Sequence, residues 1–259
     1  MKKTLIALAV AASAAVSGSA MAWTASSTGG SIELGGTLTP KKTASPWEAK
    51  VSAATGLDAV VNDDQKDIQI KASSAIPLLG IRNVDSDGFI GGAEATINYG
   101  GAVDLKGFKN ATTSLILDVK NASGEKIGTL SAPFFASGIL VYQVSLNENR
   151  GRQLASSSGN AFFGGVPLDG PSTADNGEAA YRRIVDLSSE NVATLPKIDS
   201  WNNVDLDEKF SDTHVNYWGA YGGGIEKGSD ITITLDKAMK SGDGPIVWKA
   251  SFPVTITYS

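Results

Sequence analysis

The chain has 259 residues, no cysteine, one histidine and a net charge of −5 at pH 7. The lack of thiols excludes thiol catalysis and thiolate metal sites, and a single imidazole makes most hydrolase and zinc centres hard to build. No basic stripe is present that could follow a phosphate backbone, so nucleic acid is not an expected partner. The sequence predicts no catalytic residues, metal site or cofactor.

The first 22 residues have the order of a secretory signal peptide. Lys2 and Lys3 precede an apolar stretch over residues 4–16, and Ala20-Met21-Ala22 matches an A-x-A cleavage site. The apolar stretch is shorter than the roughly 20 residues that a membrane-spanning helix needs. We therefore predict that residues 1–22 are removed and that an exported chain begins at Trp23. A buried N-terminal helix is the alternative.

Residues 23–40 are predicted to form an N-terminal extension that contains one alternating segment. Its apolar face carries Ile32, Leu34, Gly36 and Leu38. Its other face carries Ser31, Glu33, Gly35, Thr37 and Thr39. Period-2 alternation of this kind is typical of a half-buried β-strand.

The body of the chain, residues 41–259, is predicted to be all-β, and its length allows one large β domain or two small ones. Thr, Ser, Val and Ile recur between turn signals, and 29 glycines punctuate the sequence. The strongest strand candidates are residues 47–53, 68–72, 93–99, 115–119, 127–135 and 231–235. Asn121-Ala122-Ser123-Gly124 predicts a turn that joins two of them in a hairpin.

A polar region over residues 147–212 interrupts this pattern and reads as a large insertion on the β scaffold. Asp175 or Asn176 could cap a short helix over residues 178–187, with Ala180, Ile184 and Leu187 on its apolar face. Binding surfaces are commonly placed on such insertions. A simple structural connection between strands is the alternative.

Three motifs that suggest chemistry are better explained structurally. His214 lacks a nucleophile elbow or a metal-binding pattern around it, and a surface histidine is expected. Residues 85–88 resemble half of a calcium loop without the later ligands, which favours a plain Asp-Gly turn. The acidic residues Asp205, Asp207 and Glu208 could pair for glycoside hydrolysis, but such clusters are common on solvated loops.

The region around residues 201–224 offers aromatic rings and a glycine run. Residues 219–224 contain four glycines but do not follow a strand-then-helix plan, so we predict a tight turn between strands. Trp201, Trp218 and Tyr221 could form a platform on which a sugar stacks. Partial burial of these rings beneath the insertion is the alternative.

The last predicted strand has the longest apolar face in the chain. Seven alternating positions point to one side, namely Ile246, Trp248, Ala250, Phe252, Val254, Ile256 and Tyr258. Pro253 lacks a backbone donor, so it is expected at a bulge or where the strand is unpaired.

Several segments resemble the subunits of chaperone–usher fimbriae, in particular the kappa-class pilins of enterotoxigenic enteric bacteria. The resemblance lies in the signal sequence, in residues 30–38 with the following Trp47 segment, in residues 76–80 and 162–165, and most strongly in the ending, residues 253–259.

The resemblance implies an immunoglobulin-like sandwich that lacks its final strand and is completed by a donor strand. A periplasmic chaperone first fills the gap, and the N-terminal extension of the next subunit replaces it at an outer-membrane usher. Ile32, Leu34, Gly36 and Leu38 would be the donor residues. Phe252, Val254, Ile256 and Tyr258 would line the receiving groove and pair with the chaperone.

The family also implies a location in fimbriae on the bacterial surface and adhesion to host glycans through the insertion, with Trp201, Trp218 and Tyr221 as candidates. A minor, non-adhesive assembly subunit and a stand-alone secreted glycan-binding module are the alternatives. A secreted carbohydrate hydrolase is a third class, which requires that the acidic cluster be catalytic.

Overall fold

A computed structural model describes residues 45–91, 94–202 and 208–258 of the chain. Antiparallel strands dominate these residues, together with one α-helix, α1 (Gly177–Leu187), and short 3-10 turns at Gly170–Ser172 and Ser189–Val192. The strands are β1 (Trp47–Val51), β2 (Gln65–Lys71), β3 (Ile76–Asn83), β4 (Phe89–Ile90), β5 (Ala95–Asn98), β6 (Thr112–Asn121), β7 (Lys126–Ser145), β8 (Glu148–Leu154), β9 (Ser200–Trp201), β10 (Asn216–Ile225), β11 (Asp230–Met239), β12 (Trp248–Ala250) and β13 (Thr255–Tyr258). The predicted all-β class is confirmed.

The 20-residue strand β7 organises the sheet. Its first half pairs with β6 on one edge and β11 on the other, and its second half pairs with β8 and β10. Phe135 of β7 pairs with Thr112 of β6 on one side and with Gly224 of β10 on the other, so β6 and β10 lie on opposite edges of β7. β6 and β8 therefore lie end to end along one edge of β7, and β10 and β11 lie end to end along its other edge. β3 and β2 then extend the sheet beyond β10 and β11, and β1 lies outside β3. The result is an immunoglobulin-like sandwich.

The inner faces enclose the main hydrophobic core. In β6, the buried Leu115, Leu117 and Val119 alternate with exposed residues, as the period-2 pattern predicts. The predicted hairpin is also confirmed, because β6 and β7 pair across a turn in which the Gly124 amide donates to the Asn121 carbonyl over 3.0 Å. Each fully buried aliphatic side chain of this core contributes about 1.5–3 kcal/mol.

The helix α1 covers the outer face of the sheet and creates a second core. Its N-cap is Asn176, whose side chain accepts a hydrogen bond from the Ala179 amide at 2.9 Å. The predicted apolar face of Ala180, Ile184 and Leu187 is buried, as expected. These residues join Phe135, Ile139 and Val141 of β7 and Trp218 and Ala220 of β10 in one cluster.

The prediction of a turn at residues 219–224 is wrong, because they form the centre of β10. This strand is buried on both faces, against the main core and against α1. A Cβ atom on Gly219 would lie 2.4 Å from the Trp47 ring, and one on Gly222 would lie 3.0 Å from Cγ2 of Ile184. The glycines therefore allow close packing in a strand and do not mark a chain reversal.

The region predicted as an insertion also contains strands. β8 extends the sheet beside β7, and β9 pairs with β8 in parallel. The apolar alternation is weak in β8 because its alternating buried positions hold Gly151 and Gln153, which are not apolar side chains, so the strand was not predicted from the sequence. Among the described residues, no helix is long and apolar enough to cross a membrane.

Candidate functional site

An apolar groove of about 780 Å³ opens on the inner face of the sandwich. Its floor is formed by inward-facing residues of four strands, namely Ile68, Ile70, Leu115, Leu117, Val119, Leu130, Ile231, Ile233 and Leu235. The strand β12 borders one side of the groove, and residues 52–59 border another. Protein interiors seldom hold empty apolar space of this size, so the groove is suited to receive apolar side chains.

The C-terminal segment, of which residues 245–250 and Phe252 line the groove, is packed on only one side. Its inward residues lie against the core but stay half-buried, namely Trp248, Ala250, Phe252, Val254 and Ile256. The predicted apolar face is thus confirmed over residues 248–256. Of the four residues predicted to line the groove, Phe252 does so, whereas Val254, Ile256 and Tyr258 are not among its lining residues. Ile246 and Tyr258, at its two ends, remain 42% and 39% exposed. A strand with this pattern lacks a neighbour that would complete its burial.

The predicted single strand over residues 246–258 is divided in two. β12 pairs with β6 in the large sheet, whereas β13 pairs with β5 in a separate two-stranded sheet. Pro253 lies in the unpaired stretch between them and packs against Gly100, as expected for a residue without a backbone donor. Within the described residues, β12 and β13 each have one paired edge. Their other edges are open to a further strand.

A second segment that borders the groove, between β1 and β2, was not identified from the sequence. Residues 53–61 connect β1 to β2 and make no hydrogen bond to any described residue. Leu57 and Val61 of this segment are half-buried against the main core, while Val60 is 96% exposed. The sparse apolar spacing of the segment matches neither a strand nor a helix, so it gave no periodic signal.

A buried tyrosine pair lies below the C-terminal segment. The hydroxyl oxygens of Tyr99 and Tyr221 are 2.5 Å apart, and the Tyr221 hydroxyl donates to the Gly165 carbonyl at 3.0 Å. The Phe252 ring stacks on Tyr99 with 4.9 Å between ring centroids. Burial raises the pKa of both Tyr99 and Tyr221 above the ordinary value, and it also raises the pKa of Tyr258.

Two of the three rings predicted to form a sugar platform are unsuited to it. Tyr221 is fully buried in the main core, and Trp218 is 5% exposed and donates its indole N–H to the Ser86 carbonyl at 2.8 Å. The two side chains point to opposite faces of β10 because they are three residues apart. Trp201 lies elsewhere, half-buried over Gly151 and beside Tyr181. The alternative of burial beneath the insertion is correct for Trp218, since it belongs to the second core.

His214 and residues 85–88, two of the motifs considered for chemistry, have structural explanations. The His214 side chain is 92% exposed, as expected for a surface histidine. Residues 85–88 form a turn closed by a hydrogen bond from the Gly88 amide to the Asp85 carbonyl, as predicted. Across residues 45–91, 94–202 and 208–258, no group of three or more acidic, histidine or cysteine residues is arranged to hold a metal ion.

Some predicted residues lie outside the described part of the chain. These are the signal peptide, the donor residues Ile32, Leu34, Gly36 and Leu38, and the acidic residues Asp205 and Asp207.

The groove and its half-buried bordering strand define a β-sandwich with an open apolar face. A family model described as "Fimbrial, major and minor subunit", of the K88 type, matches residues 1–259. The chain is 28% identical to the K88 fimbrial protein AC of Escherichia coli and 28% identical to the F41 fimbrial protein of the same species, with all of both chains covered in each comparison. It is also 27% identical to the K88 fimbrial protein AD of E. coli, again over the whole of both chains.

The chain therefore belongs to the K88 family of major and minor fimbrial subunits. It is a structural, non-enzymatic subunit of a surface fimbria and assembles with other fimbrial subunits.

Proposed function

We propose that the subunit polymerises by donor-strand exchange, in which residues 31–39 of one copy complete the groove of the next. The observation that carries this proposal is the apolar groove of about 780 Å³ beside a C-terminal segment that is packed on one side only. An open apolar face and unpaired strand edges favour pairing with another chain.

The alternation of the N-terminal segment suits the groove. In a strand, Ile32, Leu34 and Leu38 project to the same side and can fill apolar space together. Gly36 leaves a gap in this row, which fits a position where the groove is shallow. Backbone hydrogen bonds to an open strand edge supply affinity, and the alternate side chains supply specificity.

The same groove supports a role for partner proteins during export. A subunit with exposed apolar surface is prone to aggregate before assembly. We propose that, after removal of residues 1–22, a periplasmic chaperone covers the groove and hands the subunit to an outer-membrane usher. Phe252, Val254, Ile256 and Tyr258 are the proposed contacts of the chaperone strand.

A self-completed monomer tests donor-strand exchange. A second copy of residues 31–39, fused after Ser259 through a flexible linker long enough to reach β12, should convert an aggregating chain into a stable monomer with a raised urea midpoint. The matched control carries Asp in place of Ile32 and Leu34 in the added copy only. If both fused chains are as unstable as the unfused chain, donor-strand exchange is wrong.

A substitution in the native segment tests the fit of its glycine. Gly36→Val should reduce fibre formation, because a branched side chain replaces a hydrogen where space is limited. The same change should leave the self-completed monomer folded, since the added copy keeps its own glycine. Normal fibres from the Gly36→Val chain would contradict the proposed fit.

We also propose that the assembled subunit adheres to host glycans through residues 147–212. Trp201 supports this proposal because its indole is half-buried over Gly151 and Gly177 and next to Tyr181, so one part of a rigid aromatic surface stays exposed. A glycan array on the self-completed monomer tests it, with Trp201→Ala expected to lose binding and the buried Trp218→Phe expected to keep it. No binding by the unsubstituted monomer favours a non-adhesive assembly subunit.

A further inference from the structure

Three lysines form a row across the outer face of the sheet and end at the open edge of β12. Lys249 of β12 lies directly opposite Lys120 of β6. Lys120 in turn pairs with Lys126 of β7, just past a register shift between Val119 and Lys120. All three side chains are exposed. Directly opposed residues of antiparallel strands have their Cβ atoms about 4.5–5.5 Å apart, so like charges at these positions repel each other.

Only one lysine of this row has its charge balanced by a described residue. The Lys126 ammonium lies 2.5 Å from the Asp118 carboxylate, which raises the pKa of Lys126. Among the described residues, neither Lys120 nor Lys249 forms an ion pair or a side-chain hydrogen bond. Within the described part of the chain, the row therefore presents two positive charges without an ion-pair partner, beside the edge that a further strand would occupy.

The pleat of the sheet decides which residues of that further strand meet the lysines. Trp248 and Ala250 of β12 are half-buried and line the groove. Lys249 also borders the groove, but its side chain is exposed, and the alternation of a strand directs it to the face opposite that of Trp248 and Ala250. A strand that pairs with this edge and inserts its apolar residues into the groove must direct the intervening residues toward the lysine row. In residues 31–39, those intervening residues include Glu33, which is the only charged residue of the segment.

We propose that Glu33 of one subunit forms an ion pair with Lys249 of the next and so fixes the register of the donor strand. The inference rests on the proposed donor-strand exchange, and it adds a contact that would align the donor strand with β12. With Glu33 opposite Lys249, Ile32 and Leu34 lie opposite the groove-lining Trp248 and Ala250. The same alignment of the donor strand therefore places Glu33 beside Lys249 on the outer face and places Ile32 and Leu34 in the apolar groove.

This pairing also gives the subunit a preference for copies of its own kind. A strand with a lysine or arginine at the position of Glu33 would meet two uncompensated lysines and be disfavoured. A strand shifted by one residue would expose its apolar face and place Glu33 in the groove. The lysine row therefore repels strands that carry a positive charge at this position and attracts the strand that carries Glu33.

Disulfide trapping tests the register, because the chain has no native cysteine. The processed chain with both Glu33→Cys and Lys249→Cys should form fibres that resolve into a ladder of covalent multimers on non-reducing gels. Cα atoms of directly opposed residues are about 4.5–5.5 Å apart, which falls within the range that a disulfide spans. The control pairs Glu33→Cys with Lys237→Cys, an exposed lysine on β11, and should give no ladder.

Charge reversal tests the ion pair itself and does not depend on the cysteine variants assembling. Glu33→Lys and Lys249→Glu should each slow fibre formation about five- to tenfold, and the double variant should recover to within about twofold of the original rate. Fibres without the ladder, or single reversals that the double variant does not rescue, would overturn the pairing. Donor-strand exchange itself would still stand if the self-completed monomer were stabilised, so the two failures are distinguishable.

Discussion

The guanidinium of Arg183 binds both carboxylate oxygens of Glu226, with Nε–Oε1 and Nη2–Oε2 distances of 2.7 Å each. The same side chain donates to the Asn110 carbonyl at 2.6 Å and to the Thr112 hydroxyl at 2.7 Å, and it lies 4.2 Å above the Phe135 ring. One residue of α1 is thereby connected to the turn after β10 and to the start of β6. Such a bidentate, partly buried pair is much stronger than an exposed one.

Removal of this side chain should loosen the helix from the sheet. We expect Arg183→Ala to lower the free energy of unfolding by about 2–3 kcal/mol, because an ion pair, two hydrogen bonds and a cation–π contact are lost together. Arg183→Lys should recover less than half of this, since an ammonium cannot reproduce the planar fork. Urea unfolding of the self-completed monomer measures the effect.

The neighbouring arginine provides the control for this experiment. Arg182 is 73% exposed and pairs with Glu178 one helical turn away. Arg182→Ala should cost no more than about 0.5 kcal/mol. Equal losses from the two alanine variants would contradict the assigned role of Arg183.

Local sequence signals were sufficient to predict the helix but not its partners. The Asn176 cap and the spacing of Ala180, Ile184 and Leu187 are short-range features, and the structure confirms them. The contact between Arg183 and Glu226 joins residues 43 positions apart. Periodicity along one segment carries no information about such a contact, so the sequence did not predict how α1 packs on the sheet.

The glycines of β10 should be intolerant of substitution. We expect Gly219→Ala to lower the free energy of unfolding by about 1–3 kcal/mol, because the new Cβ would lie 2.4 Å from the Trp47 ring. Gly242→Ala is the matched control, since no heavy atom lies within 4 Å of a Cβ there, and it should leave stability unchanged. Thermal unfolding of both variants distinguishes a packed strand from a flexible turn.

The sequence predicted the C-terminal segment beside the groove better than it predicted residues 52–59, which border the groove at another side. The alternation of Phe252, Val254 and Ile256 identified an apolar face that the structure confirms, and Pro253 marked the point where pairing stops. The division into β12 and β13 depends on which distant strand each half meets, which local alternation does not encode. Residues 52–59 border the groove without regular structure, so no pattern identified them.

Phe252 should contribute stability even though the groove beside it is open. Its ring stacks on Tyr99 and lies 5.8 Å from the Phe134 ring. We expect Phe252→Ala to lower the free energy of unfolding by about 2–3 kcal/mol, at the low end for aromatic truncation because the ring is half-buried. Ser251→Ala, on the exposed face, should be neutral. Urea midpoints of the two variants in the self-completed monomer measure the difference.

The buried pair of Tyr99 and Tyr221 should make the fold sensitive to alkaline pH. Burial raises the pKa of both hydroxyls above the ordinary value of 10.0, so the folded state keeps its protons at a pH where the unfolded chain loses them. Stability from this source is complete below pH 10 and is lost as the pH rises above it, by up to about 1.4 kcal/mol per pH unit for each tyrosine.

The loss should be visible as a fall in the urea midpoint between pH 9 and pH 11. Tyr221→Phe removes one titrating group and leaves the Tyr99 hydroxyl without its Tyr221 partner, so it should cost about 1–2 kcal/mol at pH 7 and flatten the alkaline decline. Tyr181→Phe is the control, because that ring is half-exposed on α1 and its loss should leave the alkaline decline unchanged. A decline that is equally steep in the Tyr221→Phe variant would show that ionisation of this pair does not destabilise the sandwich.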